Sequence, residues 1–225
     1  MHVAIAGAGG RVGLELARQL TAAGHTATGI HRNPDHTDAI AAAGATPAHG
    51  DLIADDAQTL AAHLDRADAV VFAAGAHGTG TEQTSLIDGD GLLKTIDAAR
   101  IADVTRIAVL SAFPESVRSG ELGPTYEHYL RVKKAAEHAL TESDRDWLIL
   151  RPGHMTDDPA HGTIAAGAAL PDEADVSRAD VIAFLVSALQ HPKLGRAIVE
   201  LTDGDTSITA AVEATVARSA PRTQR

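Results

Sequence analysis

Met1-His2-Val3-Ala4-Ile5-Ala6-Gly7-Ala8-Gly9-Gly10-Arg11-Val12-Gly13-Leu14-Glu15-Leu16 opens the chain, and its change of character decides the fold. Val3 to Ala6 is an apolar run of strand length that breaks at Gly7. From Arg11 to Ala23 the pattern is helical, with Val12, Leu16 and Leu20 on one side. Gly24 closes that run, as a glycine at a C-terminal cap does. The stretch therefore reads as strand, tight glycine turn, helix.

The same alternation continues outward. Strand-like runs lie at Thr26 to Ile30, Ala45 to Ala48, Ala69 to Ala73, Arg106 to Leu110, Trp147 to Leu150 and Arg196 to Leu201. Helical runs lie at Pro34 to Ala43, Ala54 to Leu64, within Ser85 to Ala102, and at Tyr126 to Thr141, Arg178 to Gln190 and Ile208 to Ala217. Arg151 to Ala174, rich in Gly, Pro, His and Asp, reads as a loop. Continuous apolar strands such as Ala69 to Ala73 suit a parallel sheet covered on both faces. The expected fold is α/β: a doubly wound parallel sheet of the Rossmann type in three α/β/α layers, with residues 1–225 as one domain.

In that context the glycine turn carries chemistry. Gly7, Gly10 and Gly13 have G-x-x-G-x-x-G spacing, with Gly9 additional and Val12 where the common dehydrogenase fingerprint has glycine. Gly7 permits the tight turn, Gly10 lets the backbone approach a pyrophosphate, and Gly13 allows close helix–strand packing. The helix N-terminus adds free N–H donors, so Gly7, Gly9, Gly10, Arg11, Val12 and Gly13 form the candidate cofactor cradle. NAD binders place an acid about 20 residues beyond this loop. Here the second strand ends Ile30-His31-Arg32-Asn33-Pro34, with no acid before Asp35. Arg32 suits a 2′-phosphate, His31 and Asn33 suit hydrogen bonds to it, and Arg11 adds charge. The expectation is NADP(H) in preference to NAD(H); the alternative is that Arg32 is an ordinary solvated arginine.

Composition narrows the partners. A formal net charge of −11 argues against nucleic acid and against an anionic membrane surface. With no cysteine, disulfides and thiolate chemistry are excluded. The first residues lack a signal-peptide pattern and no apolar run is long enough to span a bilayer, so a cytoplasmic protein is expected. The twelve histidines are scattered; His154 and His161 share a loop but read as solvated, and no metal site is expected. The expected partner is a small-molecule substrate, bound by a monomer or homodimer.

Further segments stand out: Gly50-Asp51-Leu52, Ala73-Ala74-Gly75-Ala76-His77-Gly78, Val109-Leu110-Ser111-Ala112, Tyr129 with Lys133, Leu150-Arg151-Pro152-Gly153, and Val176-Ser177-Arg178-Ala179-Asp180-Val181. With the glycine loop and His31-Arg32-Asn33-Pro34, they resemble the short-chain dehydrogenase/reductase superfamily in its atypical NAD(P)-binding branch. That branch is similar to NmrA-like and biliverdin-reductase-B/flavin-reductase-like proteins. The resemblance implies that Asp51, with Leu52, lies beside the adenine. It also implies that Ala73, Ala74 and Gly75 pass along the adenosine ribose and phosphates, and that Pro152 and Gly153 border the nicotinamide. Read from the residues alone, Asp51 is equally a helix N-cap and Pro152-Gly153 a plain turn.

Tyr129 and Lys133 are four apart in a helical run and share a face. An ammonium beside a phenol lowers the phenol's pKa, so the expected catalytic set is Tyr129 as acid, Lys133 as its modulator and ribose contact, and Ser111 on the same oxygen. Tyr126, one turn earlier, is the alternative acid, and an ordinary surface Tyr–Lys pair is the plain alternative. The segments 111–125 and 151–174 are expected to roof the nicotinamide, leaving room for a small or planar acceptor. Two functions follow: an NAD(P)H-dependent oxidoreductase reducing a small carbonyl, quinone or flavin-like acceptor, or an NADP(H)-binding redox sensor of NmrA-like type. An epimerase or dehydratase ranks third.

Overall fold

Val3, Ile5 and Val71 face one hydrophobic core, while Ala4, Ala6, Val70 and Phe72, their neighbours in sequence, face a second. Because side chains alternate across a strand, an unbroken apolar run needs protein on both sides, and here helices supply it. The computed structural model describes residues 1–113, 123–171 and 174–219.

The elements run β1 (His2–Ala6), α1 (Arg11–Ala22), β2 (Thr26–His31), α2 (Thr37–Ala42), β3 (Thr46–His49), α3 (Ala57–Ala62), β4 (Ala69–Phe72), α4 (Thr81–Thr84), α5 (Gly91–Ile101), β5 (Arg106–Leu110) and α6 (Pro124–Glu142). They continue as β6 (Asp146–Pro152), β7 (Met155–Thr156), β8 (Thr163–Gly167), β9 (Val176–Ser177), α7 (Arg178–Gln190), β10 (Ala197–Ser207) and α8 (Ile208–Ser219). Eight strands form one sheet in the order β3-β2-β1-β4-β5-β6-β10-β8. The doubly wound Rossmann architecture expected from the alternation is present. The strand order reverses between β1 and β4, which places a crevice at their carboxyl ends, where ligands of such sheets bind.

Three expectations change. The sheet is parallel from β3 to β10, but β8 joins β10 antiparallel, inside the segment read as loop. A register shift between Thr202 and Thr206 accompanies this pairing, and Gly204 has no room for a Cβ, which would lie 2.5 Å from Ala165 N. The helix expected within Ser85 to Ala102 is longer and irregular: a π-helical turn, Ser85–Asp90, joins α4 to α5. Asp51 is not a helix cap. Its Oδ1 accepts from Ile53 N at 2.8 Å, and α3 begins later, capped by Asp56, which accepts from Thr59 N. Pro114 and Gly120 of the expected roof, and the chain end beyond Ser219, lie outside the described residues. Among the described residues, no helix is long and apolar enough to cross a membrane.

Candidate functional site

The glycine loop sits at that crevice, and each glycine is there for a different contact. Gly7 has φ +88°, and a Cβ on it would lie 2.6 Å from Ala74 Cα, so β1 and the chain after β4 approach closely only without a side chain. Gly13 would place a Cβ 2.6 Å from Ala8 Cα. A Cβ on Gly9 would lie 2.0 Å from His36 Nδ1, so this glycine admits an imidazole. Gly10 differs: a Cβ there would meet only Gly7 O, at 3.5 Å, which leaves open space over the loop. Gly10 caps α1 without a side-chain bond, and no acid stands in the first turn. The first-turn N–H groups and the positive helix end are thus available to an anion.

Two adjoining cavities share Ala73, Ala74, Gly75 and His77. The first, of about 220 Å³, is lined by Gly7, Gly9, Gly10, His31, Arg32, Asn33, Asp51 and Leu52. His31 is buried and donates from Nδ1 to the Asn33 carbonyl at 2.9 Å. Arg32 is exposed at the rim and, among the described residues, has no carboxylate partner. Ile53 and Ile87 add apolar walls, and Lys94 fixes the loop by donating to the carbonyls of Ile53 at 2.7 Å and Asp55 at 2.9 Å.

The second cavity, of about 450 Å³, is lined by Val12, Ser111, Tyr129, Lys133, Pro152 and Gly153, with Asp88 and Thr84. Ser111 is buried, and its Oγ has no hydrogen-bond partner among the described residues. Lys133 is also buried. Its Nζ donates to Leu110 O at 3.1 Å, lies 3.1 Å from Asp88 Oδ1, and stands 5.8 Å from the Tyr129 ring centre. Tyr126 stacks on Tyr129 with ring centres 5.6 Å apart, but Tyr126 is the more exposed of the two.

Two candidate roles change on this geometry. Arg11 does not line the first cavity: its side chain is exposed and pairs with Asp157 at 2.8 Å. The expected lowering of the tyrosine pKa is reversed. Burial pushes the Tyr129 phenol above the ordinary tyrosine value, and Asp88, Tyr126 and Glu137 push it the same way. The phenol therefore stays protonated across the neutral range. Asp88, Ile53, Ile87 and His36 were not found from sequence; an acid inside a helical run reads as solvated until its depth is known.

The family description NAD(P)H-binding matches residues 7–192. This chain belongs to that NAD(P)H-binding family. A Bacillus subtilis relative in the family's range, YhfK, named as an uncharacterized sugar epimerase, is 30% identical over 215 residues, covering 95% of this chain and 99% of its own. A Bacillus halodurans structure, provisionally described as an NAD-dependent epimerase/dehydratase, superposes with a TM-score of 0.87 at 28% identity, covering 95% of this chain and 99% of that one. The Escherichia coli anaerobilin reductase ChuY shares the fold, with a TM-score of 0.76 at 24% identity over 92% of this chain and 99% of its own. The family places the chain among NAD(P)-binding proteins of the oxidoreductase/epimerase type, in line with the atypical short-chain dehydrogenase/reductase resemblance.

Proposed function

We propose that this chain is an NADP(H)-dependent reductase of a small carbonyl, quinone or flavin-like acceptor. The observation that carries the reading is the half-buried, protonated Tyr129 phenol facing a cavity that adjoins the glycine-loop crevice. The residues fit a dinucleotide. The open space over Gly10 and the uncapped α1 N-terminus suit a pyrophosphate, and the rim Arg32 suits a 2′-phosphate. Ala73, Ala74 and Gly75 lead from one cavity to the next.

A bound nicotinamide supplies the hydride. Tyr129 gives its proton to the acceptor oxygen as the adjacent carbon is reduced, and the phenolate regains a proton from solvent. The unpartnered Ser111 Oγ donates to the same oxygen, where negative charge develops. Lys133, held by Leu110 O, keeps one end of its ammonium in the cavity wall for a ribose hydroxyl. The name of the Bacillus subtilis relative raises epimerisation, which begins by removing a proton from a substrate hydroxyl. A phenol held protonated is set up for the opposite step.

Calorimetric titration with NADPH and NADH, followed by NADPH oxidation against quinones, flavins and aldehydes, tests the reading. NADPH is expected to bind at least about tenfold tighter, or 1.4 kcal/mol, and Arg32→Ala to erase that gap. Tyr129→Phe is expected to lower carbonyl reduction by about 10²–10⁴-fold with NADPH binding unchanged. Tight binding with no turnover on the whole panel would sink the reductase and leave an NADP(H)-responsive regulatory protein.

A further inference from the structure

Asp88 takes no part in the proton transfer just described, yet at 1% exposure it is the most deeply buried charged side chain among the described residues. It sits on the π-helical turn Ser85–Asp90, an irregularity found frequently at functional sites. Its Oδ2 accepts the Ala76 N–H at 2.9 Å, and its Oδ1 lies 3.1 Å from Lys133 Nζ. A Cβ on Gly75 would stand 3.3 Å from the same Oδ1. One carboxylate therefore touches both the turn shared by the two cavities and the ammonium beside Tyr129.

We propose that Asp88 is a positioning residue of this site: anchored by the Ala76 N–H, it sequesters the Lys133 ammonium from Tyr129 and so keeps the phenol a donor and not a base. This rests on the reading of Tyr129 as the proton donor. An ammonium alone stabilises a neighbouring phenolate; paired with a carboxylate it contributes only a dipole. Other titratable groups also surround the phenol. Tyr126 stacks on it, Glu137 is paired with Arg151, His128 is hydrogen-bonded to Ser85, and His77 and His154 line the cavity. The upward shift of Tyr129, to which Asp88 contributes after burial, agrees in sign. The pair thus keeps the resting phenol in the protonated form that reduction uses, and lowers the fraction of phenolate from which oxidation starts.

The chain has 2 tyrosines, so Tyr126→Phe leaves Tyr129 as the only phenol, and its ionisation can be followed by ultraviolet difference absorbance without cofactor or substrate. In that background Asp88→Asn is expected to lower the Tyr129 midpoint by about one pH unit or more. An unchanged midpoint in a variant whose circular dichroism is intact overturns the proposal. Should Asp88→Asn not fold, Asp88→Ser is titrated in its place, with the same two outcomes. Because the effect runs through the ammonium, Lys133→Met and Asp88→Asn/Lys133→Met are expected to form equal tyrosinate at one alkaline pH, and less in the single variant shows the carboxylate acting directly on the phenol and overturns the proposal. Failure of turnover in the acceptor panel would sink the reductase without moving these titrations, so the two failures are told apart.

Discussion

A methyl group on Gly13 would lie 2.6 Å from both Ala8 Cα and the Gly7 carbonyl oxygen, and neither backbone atom can step aside by changing rotamer. A methyl on Gly10 would meet nothing nearer than 3.5 Å, and the Gly10 backbone, at φ −80°, suits any residue. The two glycines therefore answer to different constraints. Gly13→Ala is expected to destabilise the fold by about 1–3 kcal/mol, the cost of overpacking, read as a lower Tm. Gly10→Ala is expected to leave Tm nearly unchanged while weakening NADPH by about tenfold or more, because its methyl occupies the space left for pyrophosphate. Equal effects of both changes on Tm would refute this division of labour.

Helix α3 owes its start to Asp56, whose Oδ1 accepts the Thr59 N–H at 2.8 Å. Those bonds hold the carboxyl below its ordinary value of 3.8. A carboxyl depressed in the folded state stabilises above the ordinary value and loses that contribution as pH falls through the folded one. The wild-type Tm is thus expected to exceed that of Asp56→Ala at pH 7, with the gap narrowing below about pH 4. A gap constant from pH 7 to 3 would contradict it. A second junction joins α1 to α7. Asp157, between them, contacts Arg11 at 2.8 Å and the buried Arg178 at 2.9 Å. Burial lowers the Arg178 pKa, and the Asp157 charge opposes that shift. Residues 156–158 line this charged face while 153–155 line the Tyr129 cavity, so one short segment is held from both sides.

Across the molecule, α1, α7 and α8 contribute to one core and α3, α5 and α6 to the other, with the same strands between them. Such sharing leaves no part with a core of its own, and a single cooperative thermal transition is expected. A ligand that binds only the folded chain stabilises it by about 2.7 kcal/mol at a hundred times its Kd, which for a chain of this size is a Tm rise of about 5–10 °C. Differential scanning calorimetry with and without NADPH measures both. Two transitions would mean that the C-terminal strands and helices fold apart from the rest.

The glycine loop, the apolar strands, the helix stop at Gly24, and the Tyr129–Lys133 pairing are all written within a few consecutive residues. Periodicity and backbone permissiveness are local properties, so the fold class and the glycine turn after the first strand are legible in the sequence. Other features depend on residues far away in the chain. Strand β8 exists because β10 offers it an edge, and Arg11 turns outward because Asp157, distant in sequence, waits beside it. The sign of the Tyr129 shift was misread for the same reason: the neighbouring lysine is visible in sequence, whereas burial and Asp88 are not. Solvent exclusion and charge pairing are set by what the folded chain brings from a distance, and only the tertiary structure decides them.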